Sequence, residues 1–405
     1  MYLCLPSAIL IPNILFLGKV SCTILKKILL RFYSRRNLGD DLFIKIFSNY
    51  FPDCQIDLIV NLLYIPKGLR HNVKIHPYSI LTTFGGKIQC IFSHNNKISL
   101  FLDKCLNRGY HRLSRKHDAV VTIGGSIFMD KITSDGSSLP FQASLPPDFS
   151  INSHLQGLGN LFVIGANLGP AYTPSYWSCI KQQLLEYNHV SLRDYSSYCM
   201  VKELPHVQYA PDVIFLTPQP KTVQEGKSAV ISVIDISKYS KDSAIISAYY
   251  NLLADAVSYF NKENISVILT SFCKREGDES GVAALLDRIP NKKNISTCFY
   301  DGNTEPILKI FSDASFIIGS RFHSVILGIL FGKPVFPISY NCKTENYLLD
   351  LQFQGKYARL EDLPQITVDD LIYNYEHQIL VDCSAHKYYA ANQFWGLRQF
   401  LLTKK

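Results

Sequence analysis

The chain has 405 residues, 47% of them hydrophobic and 18% charged, which excludes a mostly disordered protein, and its 22 Gly and 19 Pro exclude a collagen-like one. Lys and Arg number 41 against 33 Asp and Glu, and the formal charge of +8 is mild for this length. Its longest basic cluster, Arg35-Arg36 preceded by Lys26-Lys27 and Arg31, is neither a basic stripe nor a known module, so nucleic acid is not expected as a partner.

The 11 cysteines are odd in number, irregularly spaced and without a CxxC pair, as expected of reduced thiols rather than a disulfide framework or a zinc site. Residues 2–17 are apolar and uncharged but carry Pro6 and Pro12, and the positive charges follow the run instead of preceding it. That fits neither a spanning helix nor a signal peptide; it leaves a membrane-surface anchor or a ragged extension ahead of the first domain.

In chain order, 27–33 reads as a buried strand, 37–41 as a turn, and 42–51 as a helix with apolar residues at 42, 43, 46, 47 and 50. Strands are expected at 56–60, 119–124, 161–165 and 190–193, a helix at 176–187, and the segment 213–216 closes this half. The polar stretch 217–226 holds two prolines and reads as a linker. Beyond it come strands at 229–235, 265–270, 316–319 and 335–339, and helices at 249–260, 278–288, 324–331, 369–378 and 388–402. The pattern predicts two doubly wound, Rossmann-like α/β domains facing across a cleft: an extension at 1–25, an amino-terminal domain at 26–220, a carboxy-terminal domain at 221–380 and a last helix at 381–405. In such sheets ligands bind beyond the carboxyl ends of the strands, so those positions carry the candidate site.

Asn37-Leu38-Gly39-Asp40 and Gly124-Gly125-Ser126 each follow a strand. A glycine there lets a ligand approach the backbone, and a following helix amino terminus favours an anion; otherwise each is only a tight turn. Neither is a Walker loop nor a GxGxxG fingerprint. Arg193-Asp194 reads as a surface ion pair or as an arginine gripping a carboxylate or phosphate. Lys274-Arg275-Glu276-Gly277-Asp278 reads as a solvated charge run or as a donor contact. The sharpest feature is Ser320-Arg321-Phe322-His323, between a strand and a helix, with Tyr340 and Lys343 following the next strand. Arg321 and Lys343 suit an anionic phosphate, and His323 a proton donor or acceptor; the bland alternative is that His323 packs and caps a loop. With no HExxH, paired-His run or DxD near this corner, no metal is expected, and no G-x-S-x-G elbow supports a nucleophilic serine.

Asn37-Leu-Gly-Asp40, Gly124-Gly-Ser126, Gly165-Ala-Asn-Leu-Gly-Pro170, Arg193-Asp194 and Ala210-Pro-Asp212 resemble the successive motifs of the polysaccharide pyruvyl transferase family. Ser320-Arg-Phe-His323, Gly332-Lys-Pro334 and Tyr340 to Lys343 resemble its carboxy-terminal signature, so the likeness runs over about 27–345. The chain departs from the family in having a glycine pair at 124–125 where a triple is common, and Asn167 where many members carry glutamine. The resemblance implies a fold like that of B-type glycosyltransferases, and transfer of a pyruvyl group from phosphoenolpyruvate to a sugar of a cell-surface polysaccharide as a cyclic ketal. Phosphoenolpyruvate would be a co-substrate, with no cofactor. Arg321 and Lys343 would hold the donor, assisted by Lys274 or Arg275, and His323 would be the acid, its ordinary pKa lying near neutrality. The acceptor would lie near Asn37, Asp40, Asn167 and Arg193; a lipid-linked acceptor would hold a cytoplasmic enzyme at the inner membrane face. A nucleotide-sugar glycosyltransferase of the same fold is the second reading, and an inert scaffold of a glycan-assembly complex the third.

Overall fold

The computed structural model describes residues 25–80, 111–130, 159–170, 174–220 and 226–404. The apolar run at 2–17 and part of the linker, 221–225, lie outside them. Among the described residues no helix is long and apolar enough to cross a membrane.

Two parallel sheets organise the chain. The first has seven strands in the order β3-β2-β1-β4-β5-β6-β7: Lys27–Arg31 (β1), Gln55–Ile59 (β2), Val73–Ile75 (β3), Ala119–Ile123 (β4), Leu161–Ala166 (β5), His189–Leu192 (β6) and Val207–Tyr209 (β7). The second has six in the order β10-β9-β8-β11-β12-β13: Ser228–Ser232 (β8), Ser266–Ser271 (β9), Ile295–Phe299 (β10), Phe316–Gly319 (β11), Val335–Ser339 (β12) and Ala358–Arg359 (β13). Central strands such as Ala119–Ile123 and Ser228–Ser232 are buried along their whole length, which is why they read as unbroken apolar runs. In the first sheet β1 lies between β2 and β4, with Ile28 opposite Ile56 and Ala119. In the second β8 lies between β9 and β11, with Ala229 opposite Val267 and Phe316. The order of winding reverses at β1/β4 and at β8/β11, and loops leaving the carboxyl ends there diverge to open a crevice.

Several elements depart from the sequence reading. The helix expected at 42–51 spans Leu38–Tyr50, because Asn37 caps it by accepting from Gly39 N at 3.0 Å. Residues Val213–Leu216 form a 3-10 turn, started by Asp212 accepting from Ile214 N at 2.8 Å. The single helix expected at 388–402 is broken into Ser384–Tyr389, a 3-10 turn Ala390–Phe394 and Trp395–Thr403. Gln393 sits at the break, its amide oxygen accepting from Gly165 N at 2.9 Å and its nitrogen donating to Ala210 O at 2.6 Å and Leu192 O at 3.3 Å. The tail thus returns to the first sheet, and Phe394 packs against Phe47, Tyr50 and Phe51. One apolar cluster joins both halves and the tail, running from Ile28, Phe47 and Ile123 through Val230, Ile317 and Phe322 to Phe394.

Candidate functional site

The two reversal points meet face to face. Gly39, just after β1, lies against His323, just after β11: a Cβ at position 39 would stand 1.8 Å from His323 Nδ1 and 2.1 Å from Cε1. Across the first sheet, Gly125 after β4 lies under Arg193 after β6, where a Cβ would stand 2.4 Å from the guanidinium carbon. Gly124, at φ +150°, occupies backbone space closed to most side chains, and a Cβ there would be 3.7 Å from Asp40 Oδ1. These close approaches, rather than any phosphate loop, account for the glycines.

Arg193 is 2% exposed; its Nη1 donates to Asp212 at 2.9 Å and its Nη2 to Asn167 Oδ1 at 2.8 Å. Its guanidinium lies over the Phe322 ring, 4.4 Å from the centroid, so an arginine of the first domain stacks on a residue of the second. Ser126 Oγ donates to Asn167 Oδ1 at 3.5 Å, its one side-chain hydrogen bond among the described residues.

On the opposite side Arg321 is held on three flanks. Its Nε donates to both oxygens of Asp278, at 3.0 and 3.1 Å, Nη2 pairs with Asp278, Nη1 pairs with Glu276, and Nη1 reaches the Tyr239 hydroxyl at 3.4 Å. Asp278 is fully buried and also accepts from the amides of Phe272 and Cys273, each at 2.9 Å. Arg321 is therefore not the free fork that the sequence suggested. Lys343 is the less committed cation: it lies 5.8 Å from the ring centroids of Phe322 and Tyr340, with no ion pair among the described residues. The Tyr340 ring lies tilted against Tyr239, with centroids 4.3 Å apart, and Ser320 shares a 2.8 Å hydrogen bond with the Tyr249 hydroxyl.

Burial, helped by the charges of Arg193, Lys343 and Arg321, holds the His323 imidazole well below its ordinary pKa. The ordinary value assumed from sequence therefore does not apply, and the ring is neutral near pH 7. Its Nε2 is enclosed without a hydrogen-bond partner. Asp40 shows the reverse. Burial, then the charges of Glu276 and Asp41, push its carboxyl well above the usual range, against the pull of Arg193 and Lys343. For Glu276 burial is outweighed by Arg321 and Lys343 and by hydrogen bonds from Arg321 and Asn37, and its pKa is lowered. Three neighbouring groups are thus set apart: Asp40 with a raised pKa, Glu276 with a lowered one and His323 with a lowered one.

Not every expected residue converges here. Asp194 caps the helix Tyr195–Cys199, accepting from Ser197 N and Ser197 Oγ at 2.8 Å each, and burial raises its pKa against those bonds. Lys274 is exposed and pairs with Glu279 at 3.0 Å, while Arg275 lies by the Tyr64 ring. Asp278, Asp212 and Phe322 lie inside segments that the sequence singled out, but no role of their own was legible for them there. Asp278 opens the helix Asp278–Leu286, so in sequence it looks like an ordinary acidic first-turn residue. Among the described residues, no group of three His, Cys, Asp or Glu assembles in a way that could hold a metal ion.

The fold is shared with solved sugar-nucleotide enzymes at low identity. UDP-GlcNAc 2-epimerase from Neisseria meningitidis, bound to UDP-GlcNAc, matches with 11% identity and a TM-score of 0.52 over 93% of this chain and 100% of its own. The Methanocaldococcus jannaschii UDP-GlcNAc 2-epimerase in complex with UDP-GlcNAc and UDP matches at 10% identity and 0.51, over 94% and 100%. MnaA from S. aureus, solved with UDP, matches at 8% and 0.54, over 94% and 97%. These likenesses establish the architecture of two Rossmann-like domains. A search of curated proteins gave no match. The polysaccharide pyruvyl transferase model matches residues 37–341, from the Asn37 cap to the turn before Lys343. The chain belongs to the polysaccharide pyruvyl transferase family and is an enzyme of the transferase kind.

Proposed function

We propose that the enzyme moves a pyruvyl group from phosphoenolpyruvate to two hydroxyls of a sugar in a cell-surface polysaccharide or its lipid-linked precursor, working in the cytoplasm at the inner membrane face. The observation that carries this reading is the meeting of Arg193, Arg321 and Lys343 around His323 and Asp40 where the two reversal points face each other. A donor with both a phosphate and a carboxylate needs several cations in one place, and its chemistry needs a proton donor and a proton acceptor side by side.

Lys343 meets the donor first, because it has no carboxylate to give up; Arg321 follows if Glu276 turns aside. The pKa ordering reverses the role expected for His323: Asp40 holds the proton at rest and His323 can take one. The Asp40 carboxyl gives its proton to the CH2 carbon, which becomes a methyl group. A sugar hydroxyl oxygen bonds to the central carbon and passes its proton to His323 Nε2. The bond to the phosphate oxygen breaks, and phosphate leaves with the electron pair and with the proton that His323 took up, which restores the neutral ring. The second hydroxyl closes the ketal, and its proton returns to the Asp40 carboxylate. No oxidant, metal or cofactor enters this balance.

Calorimetry with phosphoenolpyruvate, set against a uridine or guanosine diphosphate sugar, tests the donor. Phosphoenolpyruvate should bind, and Lys343→Ala should weaken it by about tenfold, the typical worth of a charge-assisted contact. Tight binding of the nucleotide sugar with none of phosphoenolpyruvate would overturn the reading in favour of a glycosyltransferase of the same fold.

A further inference from the structure

A second cluster of cations gathers around Tyr64, and the chemistry above leaves it unused. Arg36 follows β1, Tyr64 lies in the loop after β2, and Arg275 follows β9, so three strand ends from both domains contribute. The Arg36 and Arg275 guanidiniums each lie 5.9 Å from the Tyr64 ring centroid. Two like charges gathered on one ring repel unless an anion lies between them. Glu276 is held by Arg321 and Asn37, while Asp41 accepts from the Tyr300 hydroxyl at 2.5 Å and feels the Arg36 charge without forming an ion pair with it. Among the described residues neither Arg36 nor Arg275 has an ion pair, and Arg36 Nε is enclosed with no hydrogen-bond partner.

Two further observations make this more than a chance meeting of surface side chains. Arg36 sits at φ +52°, the left-handed region that a non-glycine residue adopts at a cost and that is common at ligand sites. The loop carrying Tyr64 is pinned to the strand end, with Asn61 N donating to Ser34 Oγ at 3.0 Å. On either side of Tyr64 that same loop exposes Leu63, at 53%, and Ile65, at 40%. Cations on a held aromatic ring with apolar side chains beside them suit a phosphate group carried on something greasy.

We propose that Arg36, Arg275 and Tyr64 form a second anion subsite, separate from the Lys343 corner, which takes a phosphate or diphosphate group of the acceptor. The assignment to the acceptor rests on the transfer reading above; the anion subsite itself does not. The same phosphate chemistry could be borne by a lipid or by a soluble sugar phosphate.

Inorganic pyrophosphate titrated calorimetrically into the full chain, first without and then with saturating phosphoenolpyruvate, tests it. Arg275→Ala should weaken pyrophosphate by about tenfold, and Arg36→Gly, which tolerates the left-handed backbone, should do the same. Lys343→Ala should leave pyrophosphate binding within about twofold, and phosphoenolpyruvate should not displace it. Loss of pyrophosphate binding in Lys343→Ala, displacement by phosphoenolpyruvate, or unchanged affinity in both arginine variants would overturn the subsite. Failure of phosphoenolpyruvate to bind at all would count against the transfer reading and leave the pyrophosphate result readable. A diphosphate-linked sugar with a lipid tail, presented in detergent, separates the sources. Weaker binding of it by a Leu63→Ser, Ile65→Ser double variant, with pyrophosphate unaffected, supports the subsite with a lipid-borne phosphate. Equal loss-free binding of both ligands supports it with a soluble one.

Discussion

A methyl group at position 39 would lie 1.8 Å from His323 Nδ1, so Gly39→Ala must push the imidazole away or part the two domains. A displacement of about 1 Å at a reacting group can cost about a hundredfold in rate. Gly39→Ala should therefore lose about that much turnover while keeping its helical signal by circular dichroism; turnover near wild type would show that His323 need not sit where it does. Asp40 and His323 can be separated by pH. Asp40 must be protonated to act as the acid and its pKa is raised, so turnover should fall as pH climbs through that raised value. His323 must be neutral to act as the base and its pKa is lowered, so the acid limb should lie well below pH 6.5. Asp40→Asn and His323→Ala should each cost about 10²- to 10⁴-fold in turnover with donor affinity largely kept. Residual activity in Asp40→Asn should lack the alkaline limb, and an unchanged profile would remove Asp40 as the acid. From sequence, the reversal-point residues Asn37, Gly39, Asp40, Arg321 and His323 could be found because strand-end position alone selects them. Their roles could not, because a pKa depends on what the other domain brings: Asp40 is raised by Glu276, which lies more than two hundred residues further on.

Among the elements, the helix Leu38–Tyr50 shows how a site is held at a cost in stability. Its first turn carries Asp40 and Asp41, both buried, where the helix amino terminus favours negative charge but burial opposes it. Burial pushes Asp41 up to about 7, against the Tyr300 hydrogen bond and the Arg36 charge. The folded pKa lies above the unfolded one, so the neutral carboxyl stabilises the fold at low pH, and that contribution is lost as pH rises from about 4 through about 7. Asp41→Asn removes the ionisation and keeps an oxygen for Tyr300. Its Tm relative to wild type should rise as pH goes from 5 to 8, read by differential scanning fluorimetry; a constant difference across that range would show that Asp41 ionises freely in the fold. The central strands were legible because burial on both faces leaves unbroken apolar runs such as Ala119–Ile123. The edge strands Val73–Ile75 and Ile295–Phe299 were not, because they alternate with exposed polar residues and lean on a neighbour for their pairing. The helices Thr304–Asp313 and Cys342–Asp350 were missed as well: Pro306 and a run of polar residues hide the periodicity that their buried faces follow.

At the scale of the whole molecule, the question is whether the two domains unfold as one. The linker suggests independence, yet the contacts argue otherwise. Leu38 N donates to Phe272 O at 3.2 Å and Tyr300 to Asp41, both across the boundary, while the tail leaves the second sheet and closes on the first. A single apolar cluster contains residues of both sheets together with Phe394, Leu397 and Leu401 of that tail. Phe394 is fully buried, with ring centroids 4.4 Å from Tyr50, 5.7 Å from Phe51 and 5.9 Å from Phe47. Phe47 and Tyr50 belong to the helix whose first turn carries Gly39 and Asp40, and Phe51 caps its end, so the tail supports the site from behind. Truncating a buried phenylalanine typically costs about 3–5 kcal/mol, because the transfer energy is lost and a cavity remains. Phe394→Ala should lower stability by about that amount in urea titration. Because the cluster is shared, the loss should move a single calorimetric transition to lower temperature rather than split it. Two transitions, with only the first-domain one shifted, would show that the domains unfold separately and that the tail braces the first alone. The variant should also bind phosphoenolpyruvate normally once folded, since Lys343 and Arg321 belong to the other sheet, and lose turnover only as far as Asp40 and Gly39 shift against His323.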